Sequence, residues 1–352
     1  MKKLDRYIGL NVLVSMLVVM VIIVFLDTLF GFMTQLDAMR ANYQLPQVMQ
    51  YMLLTTPKRI YEIIPVSALI GCLVGLGALA NHSELIVMRA AGVSLSRIGW
   101  AVMKPAIVLM LIGLVLSEYV SPVSEQMAQS LKKITRSADG KYTDEGLWHR
   151  EGDSYMYFNA VEPNGVLYGI SIFRFDEKRQ VQETIYAERA INQGNHWMME
   201  NVETSTYTDG QVETRVQSTK EWLTDLTTTL LKVVVVKPDD LSMTGLLTYI
   251  DYLDKQDLET GEYQLAFYKK VLQPAAIFAL VLIGMSFVFG PLRTVPMGLR
   301  LFSGVITGVT FMILQNLAGP ASLVFGFSPL LAVTLPIGIC FVIGVVLLKR
   351  AG

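Results

Sequence analysis

The chain has 352 residues, 52% of them hydrophobic and only 17% charged, with a formal net charge of -1 and a mean hydropathy of +0.45. This is the composition of an integral membrane protein, and the lack of a basic surplus argues against nucleic acid as a partner. Its two cysteines, Cys72 and Cys340, sit inside apolar runs, where they read as small packing residues without a disulfide framework.

Crossing a bilayer takes about twenty apolar residues of helix. Runs of that kind cover residues 8–32, 63–80, 98–120, 271–289, 301–318 and 329–348, which predicts six spans. The first is too long for a signal-peptide core and lacks a small-residue cleavage site, so it reads as a retained helix. Lys2, Lys3 and Arg6 precede the first span, Arg89 and Arg97 separate the second and third, Arg293 and Arg300 the fourth and fifth, and Lys349 and Arg350 follow the last. The positive-inside rule puts all of these, and both termini, in the cytoplasm. Parity then places residues 137–240 outside, together with an uncharged loop at 319–328.

Between the third and fourth spans the pattern changes to short aromatic and β-branched runs: Leu147-Trp148, residues 155–158, residues 166–173 and Thr184-Ile185-Tyr186. Glu151-Gly152-Asp153, Pro163-Asn164-Gly165, Gln193-Gly194-Asn195 and Asp209-Gly210 punctuate them, which predicts an all-β sandwich or roll. The run 230–236, interrupted by Lys232, is too short to span and reads as a further strand. Ser242 or Thr244 then caps a short helix through Leu246, Tyr249, Ile250 and Leu253, expected along the outer interface. The predicted organisation is residues 1–136, with three spans and a cytoplasmic helix at about 82–92, then a β domain at 137–240, then the interfacial helix and three spans at 241–352.

Three features carry a functional reading, each beside a plainer one. In the cytoplasmic stretch from Asn81 to Gly92, Ser83 offers a cap, Leu85 and Met88 with Val87 form an apolar face, and Gly92 is a fitting stop. Such a helix rests on headgroups or presses into a groove on a soluble partner, and the pattern leaves both open. Arg40, Lys58, Arg59, Lys132, Lys133, Arg136, Lys269 and Lys270 fall near the outer ends of spans. They either snorkel and pair with Asp37, Glu62, Glu125 and Asp139, or supply charge-assisted contacts to the phosphates of an anionic amphiphile. Asp27 lies deep in the first span, with Gln315 and Asn316 in the fifth. An intramembrane acid is a functional candidate, but no second acid or histidine accompanies it in the spans, so a protonated side chain or half of a pair with another subunit reads equally well.

No G-x-x-x-x-G-K-[ST] loop occurs, and His82, His149 and His196 have neither metal nor triad spacing. The chain therefore reads as non-catalytic, with no cofactor of its own. It shows no internal repeat of the kind common in secondary transporters. Gly71, Gly75 and Gly77 in the second span and Gly304 and Gly308 in the fifth suit close helix packing.

The combination of Thr56-Pro57-Lys58, Gly75-Leu76-Gly77, Ser83-Glu84-Leu85 with Met88 and Ala91-Gly92, and above all Phe289-Gly290-Pro291-Leu292-Arg293-Thr294-Val295-Pro296-Met297-Gly298, resembles the LptF/LptG permease family. The resemblance runs nearly end to end, through Tyr263-Gln264-Leu265 and Gly319-Pro320. It implies a membrane α-helical fold with six transmembrane helices and an inserted periplasmic all-β, jellyroll-like domain. It also implies a permease subunit of an ABC transporter in the inner membrane of a Gram-negative bacterium, which extracts lipopolysaccharide from the outer leaflet and passes it to a periplasmic bridge. The implied partners are the sister permease LptF, a dimer of the ATPase LptB that binds ATP and Mg, and LptC with its single helix and jellyroll.

Residue by residue, the resemblance makes Glu84 the ATPase-coupling contact, with Leu85, Met88 and Arg89 around it. Lys58 and Lys132 are carried over as lipid phosphate contacts; at the outer end of the first span, where the family places lysines, this chain departs from the pattern and Arg40 alone remains to do that work. The first and fifth spans are implied to line lateral gates, which sets Phe25, Leu29, Phe32 and Phe311 against acyl chains. The rival class is a membrane scaffold presenting its β domain to protein partners without transport. Such a scaffold needs neither a coupling helix nor outer cations.

Overall fold

A computed structural model of the chain describes residues 2–37, 39, 43–137, 147–161, 166–176, 180–193, 196–208, 211–224, 237–256, 258–290 and 295–351. In chain order these form α1 (Lys2–Asp37), α2 (Leu45–Asn81), α3 (Glu84–Ala90), α4 (Leu95–Val115), a π-helical turn (Leu116–Val120) and α5 (Ser121–Ser137). Six strands follow: β1 (Leu147–Glu151), β2 (Ser154–Val161), β3 (Leu167–Phe175), β4 (Val181–Asn192), β5 (Trp197–Thr208) and β6 (Gln211–Trp222). The chain then returns to helix in α6 (Met243–Lys255), α7 (Gly261–Phe289), α8 (Met297–Phe325) and α9 (Pro329–Ala351).

Six segments are long and apolar enough to cross a membrane, α4 counting together with the π-helical turn and α5. Most outrun their hydropathy signal. At 36 and 37 residues, α1 and α2 each extend about 55 Å, against a hydrocarbon core of about 30 Å. The charged stretch from Lys58 to Glu62 and the internal Pro57 hid the continuity of α2. The stretch 319–328, read from sequence as an outer loop, is corrected in the same way: α8 continues through Gly319-Pro320 to Phe325 and ends at Gly326, whose φ is 71°. The Ser322 hydroxyl bonds the Gly319 carbonyl at 2.6 Å, one of the devices that satisfies backbone near a proline in a membrane helix.

The chain forms two compact units, one of Met1–Gly31, Thr56–Ser121 and Ser242–Gly352 and the other of Phe32–Thr55 and Pro122–Leu241. In the first, α2 is the central helix: 83% of its most apolar window is buried, against 22% for α1 and for α8. Small residues allow this. A Cβ on Gly71 would stand 2.3 Å from the Cα of Met16 in α1, and one on Gly304 of α8 would stand 2.1 Å from Leu73 of α2. Around them Leu69, Cys72, Leu76, Ile98, Val102, Leu280 and Val281 form one buried core. Helices α4, α6 and α9 all pack on α7.

The second unit holds a six-stranded antiparallel sheet in the order β1-β2-β3-β4-β5-β6. Each strand pairs with its chain neighbours, so the expected sandwich is replaced, among the described residues, by one meander without Greek-key crossings. The sheet nonetheless rolls. Strands β2 and β6 would lie about 19 Å apart in a flat sheet at ~4.8 Å per strand, yet the Phe158 and Trp222 rings are 6.3 Å apart. Between them one face closes on a core of Met156, Ile170, Ile172, Ile185, Met199 and Trp197. The run 230–236 lies outside the described residues. This unit also takes in the start of α2, where Val48, Tyr51 and Met52, with Tyr43 ahead of the helix, pack on Ala128 of α5.

Candidate functional site

The helix expected at about 82–92 is α3, a single pair of turns between α2 and α4. Ser83 occupies its N-cap position, but with φ 60° and no side-chain capping bond, so it serves as a left-handed turn residue and not as the cap the sequence suggested. The other end is as expected. Gly92 has φ 86°, its N–H reaches the Arg89 carbonyl at 3.0 Å, and the Val93 N–H reaches Met88 at 3.1 Å, the paired bonds of a Schellman stop.

Leu85 and Met88 are buried in the core of the first unit, so they anchor α3 to its own chain and do not offer a free face. Val87, grouped with them on sequence, sits about 200° round the helix from Leu85. It is 66% exposed, with Ile86 beside it. Glu84 accepts a hydrogen bond from the Tyr7 hydroxyl at 3.3 Å. Two residues earlier in α1, Asp5 receives Nε and Nη2 of Arg97 at 2.9 and 3.1 Å. The start of α1 is thereby tied to both α3 and α4, and Ile86 and Val87, between Glu84 and Arg89, are exposed.

In the second half of α1, Asp27 pairs with Arg59 of α2 in the same chain. This replaces the protonated or inter-subunit acid considered from sequence. Arg59 also donates to the Asp27 carbonyl at 3.1 Å. One turn on, a Cβ on Gly31 would lie 2.6 Å from the guanidinium, so the glycine makes the space in which Arg59 lies. Lys58 stands 3.9 Å from Glu62. In the second unit the Lys132 ammonium lies 5.2 Å from the centre of the Tyr51 ring, a cation–π contact that holds the charge beside an apolar surface. Arg40 and residues 291–294 of the Gly-Pro-Leu-Arg motif lie outside the described residues.

The faces expected against acyl chains divide. Phe25, 64% exposed, and Leu29 lie on the open side of α1, and Phe32 packs partly against the Tyr43 cluster. Phe311 is corrected: it is 2% exposed and belongs to the core of the first unit. It shares a face of α8 with Gly304 and Gly308, which press on Leu73 and Val66 of α2. The open side of α8 carries Phe302, Ile306, Val309 and Ile313 instead.

Sequence reasoning missed Glu118, which lies in the apolar run 98–120 and is a second acid within a span, contrary to the reading of Asp27 as unaccompanied. Its carboxylate receives the Met243 N–H at 2.7 Å, the Thr244 N–H at 3.3 Å and the Thr244 hydroxyl at 2.7 Å, while Ser242 caps Gly245 at 3.0 Å. The π-helical turn that carries Glu118 is thus fastened to the start of α6. No local pattern announces a bond across that separation. Of the histidines, His149 is a buried packing residue on the core side of β1. Burial holds its imidazole below the usual value, with Glu151 opposing.

Among the described residues, six apolar helices, a β domain inserted after the third, and a short charged-ended helix between the second and third define a helical membrane protein with an inserted β domain. The particular family follows from comparison: the profile described as lipopolysaccharide export system permease LptF/LptG matches residues 6–350, and the chain belongs to that family. It is 36% identical to the lipopolysaccharide export system permease protein LptG of Escherichia coli strain K12, over 99% of this chain and 98% of that protein. It is 30% identical to the protein of the same name from Haemophilus influenzae strain Rd, over 95% and 94% of the two chains.

Proposed function

We propose that this chain is one permease subunit of an ATP-driven exporter that lifts lipopolysaccharide from the outer leaflet of the inner membrane and passes it to a periplasmic bridge. In this reading both termini and α3 are cytoplasmic and the β domain is periplasmic. The partners are the sister permease LptF, the LptB dimer that binds ATP and Mg, and LptC. The observation that carries the reading is α3 itself, in a chain of this family: buried in its own core through Leu85 and Met88, it presents Ile86 and Val87 outward.

An ATPase that closes on nucleotide takes hold of Ile86 and Val87 in a groove and meets Glu84 and Arg89 with opposite charges. Because Leu85 and Met88 are packed among α2 and α4, a pull on α3 reaches the spans. Phe25 and Leu29 on α1 receive acyl chains, while Lys58, Lys132 and Arg40 meet phosphates. Each methylene drawn from the bilayer costs about 0.8 kcal/mol unless new apolar contact replaces it, so extracting several chains requires both an apolar cavity and an energy source. Glu84→Lys tests this: the variant is expected to insert normally, lose co-purification with the ATPase and stop export. Normal export with Glu84→Lys would overturn the assignment.

A further inference from the structure

On the face of the sheet turned away from its core, β1, β2 and β3 display Trp148, Arg150, Tyr155, Tyr157, Phe173 and Phe175, the alternate positions to the buried His149, Met156, Phe158 and Ile172. The rings are organised. Trp148 stacks with Phe173 at 5.8 Å and meets Tyr157 at 5.2 Å, while Tyr155 meets Phe175 edge-on at 5.4 Å with the Arg150 guanidinium 5.4 Å over its face. A register shift between Arg174 and Phe175 re-aims the end of β3, as bulges do. Together with Asp153 and Asp176 these side chains, Tyr157 excepted, line a cleft of about 450 Å³, within the range of small-ligand sites. Trp148 is 60% exposed at its mouth, an indole left open where the core of the domain had room for two others.

We propose that this cleft binds the pyranose rings of an uncharged oligosaccharide. The π-face of an aromatic ring is negative and attracts the faintly positive C–H face of a sugar ring, while carboxylates accept its hydroxyl hydrogens. The Asp153 carboxylate has no partner among the described residues, and Asp176 accepts the Gln180 N–H at 2.7 Å. Among the described lining residues one guanidinium stands against two carboxylates, a balance that disfavours phosphates. Its volume suits one or two sugar rings and is too small for the edge of a protein domain. The site stands independently of the transport reading. The sugar could be supplied by the saccharide part of a lipid or by another envelope glycan.

The full chain in nanodiscs, free of sugar-headed detergent, is titrated by calorimetry with a dephosphorylated core oligosaccharide of lipopolysaccharide cleaved from its acidic sugars, and separately with an N-acetylglucosamine oligomer. Saturation-transfer NMR reads which sugar protons touch the protein. Saturable binding of either probe is expected, weakened at least about 10-fold by Trp148→Ala and several-fold by Asp153→Asn, both at exposed positions where the fold tolerates change. Binding of the first probe alone assigns the cleft to the lipid's saccharide, and of the second alone to a separate glycan. Failure of both probes, an affinity unchanged by Trp148→Ala, or capture of only a protein by a photocrosslinker at position 148 would overturn the proposal.

Discussion

Arg59 shows how a single side chain depends on what surrounds it. It bonds both the carboxylate and the carbonyl of Asp27, in space left by Gly31. Inside a span, removing one partner of an ion pair strands the other charge, so Asp27→Asn is expected to lower the unfolding midpoint. Arg59→Ala, which also abandons a backbone carbonyl, should cost more. A double-mutant cycle by thermal unfolding in detergent measures the coupling, and strict additivity would show that the pair contributes nothing. His149 makes a prediction about pH. In the unfolded chain it titrates near 6.5, and burial lowers that value in the fold. Between the two values the unfolded chain binds more protons. The sheet is therefore most stable above about pH 6.5 and loses stability as pH falls toward the folded value. Hydrogen exchange of β2 and β3 amides at pH 5 and 7.5 is expected to show this loss, and His149→Phe to reduce it; identical pH slopes would remove His149 as the cause.

Among the elements, α2 organises the first unit because its glycines admit backbones on two sides. Gly71→Ala sets a methyl group against the Met16 backbone and is expected to destabilise by about 1–3 kcal/mol, the usual cost of overpacking. Gly338→Ala in α9, where a Cβ meets nothing within 4 Å, serves as the neutral control. Equal unfolding midpoints for the two variants would show that α1 shifts freely along α2. The sheet obeys the same steric logic in another form: two indoles, Trp197 and Trp222, 6.2 Å apart, fill the concavity and oblige a six-stranded meander to roll. Much of this was legible beforehand. The glycine spacing announced close packing, and the turn sequences separated the strands. Topology was not legible, because alternation reports that a strand has a buried face and not which strand lies opposite.

At the scale of the whole molecule, α1 and α8 are the helices least covered by their own chain. A spin label at Val21 or Ile306, both exposed, should be open to a lipid-phase relaxation agent in the isolated chain. At least one of the two should become protected when the sister permease is present. Unchanged access at both would remove these faces from the interface.

Local chemistry, as far as sequence carries it, settled the six spans, the inserted β domain, the helix between the second and third spans and its glycine stop, since hydropathy, period and turn residues act over a few residues. It also exposed the family through its motifs. Which side of each helix meets its own chain was decided by the tertiary structure alone. In a bilayer both lipid and protein partners are apolar, so hydropathy cannot separate an inward Phe311 from an outward Phe25. In α3, two turns with apolar residues at four successive positions leave the inward pair undetermined until α2 and α4 take Leu85 and Met88. The partners of Asp27 and Glu118 were likewise set by packing, because a charge in a span is held by whichever donor the neighbouring helices bring within reach.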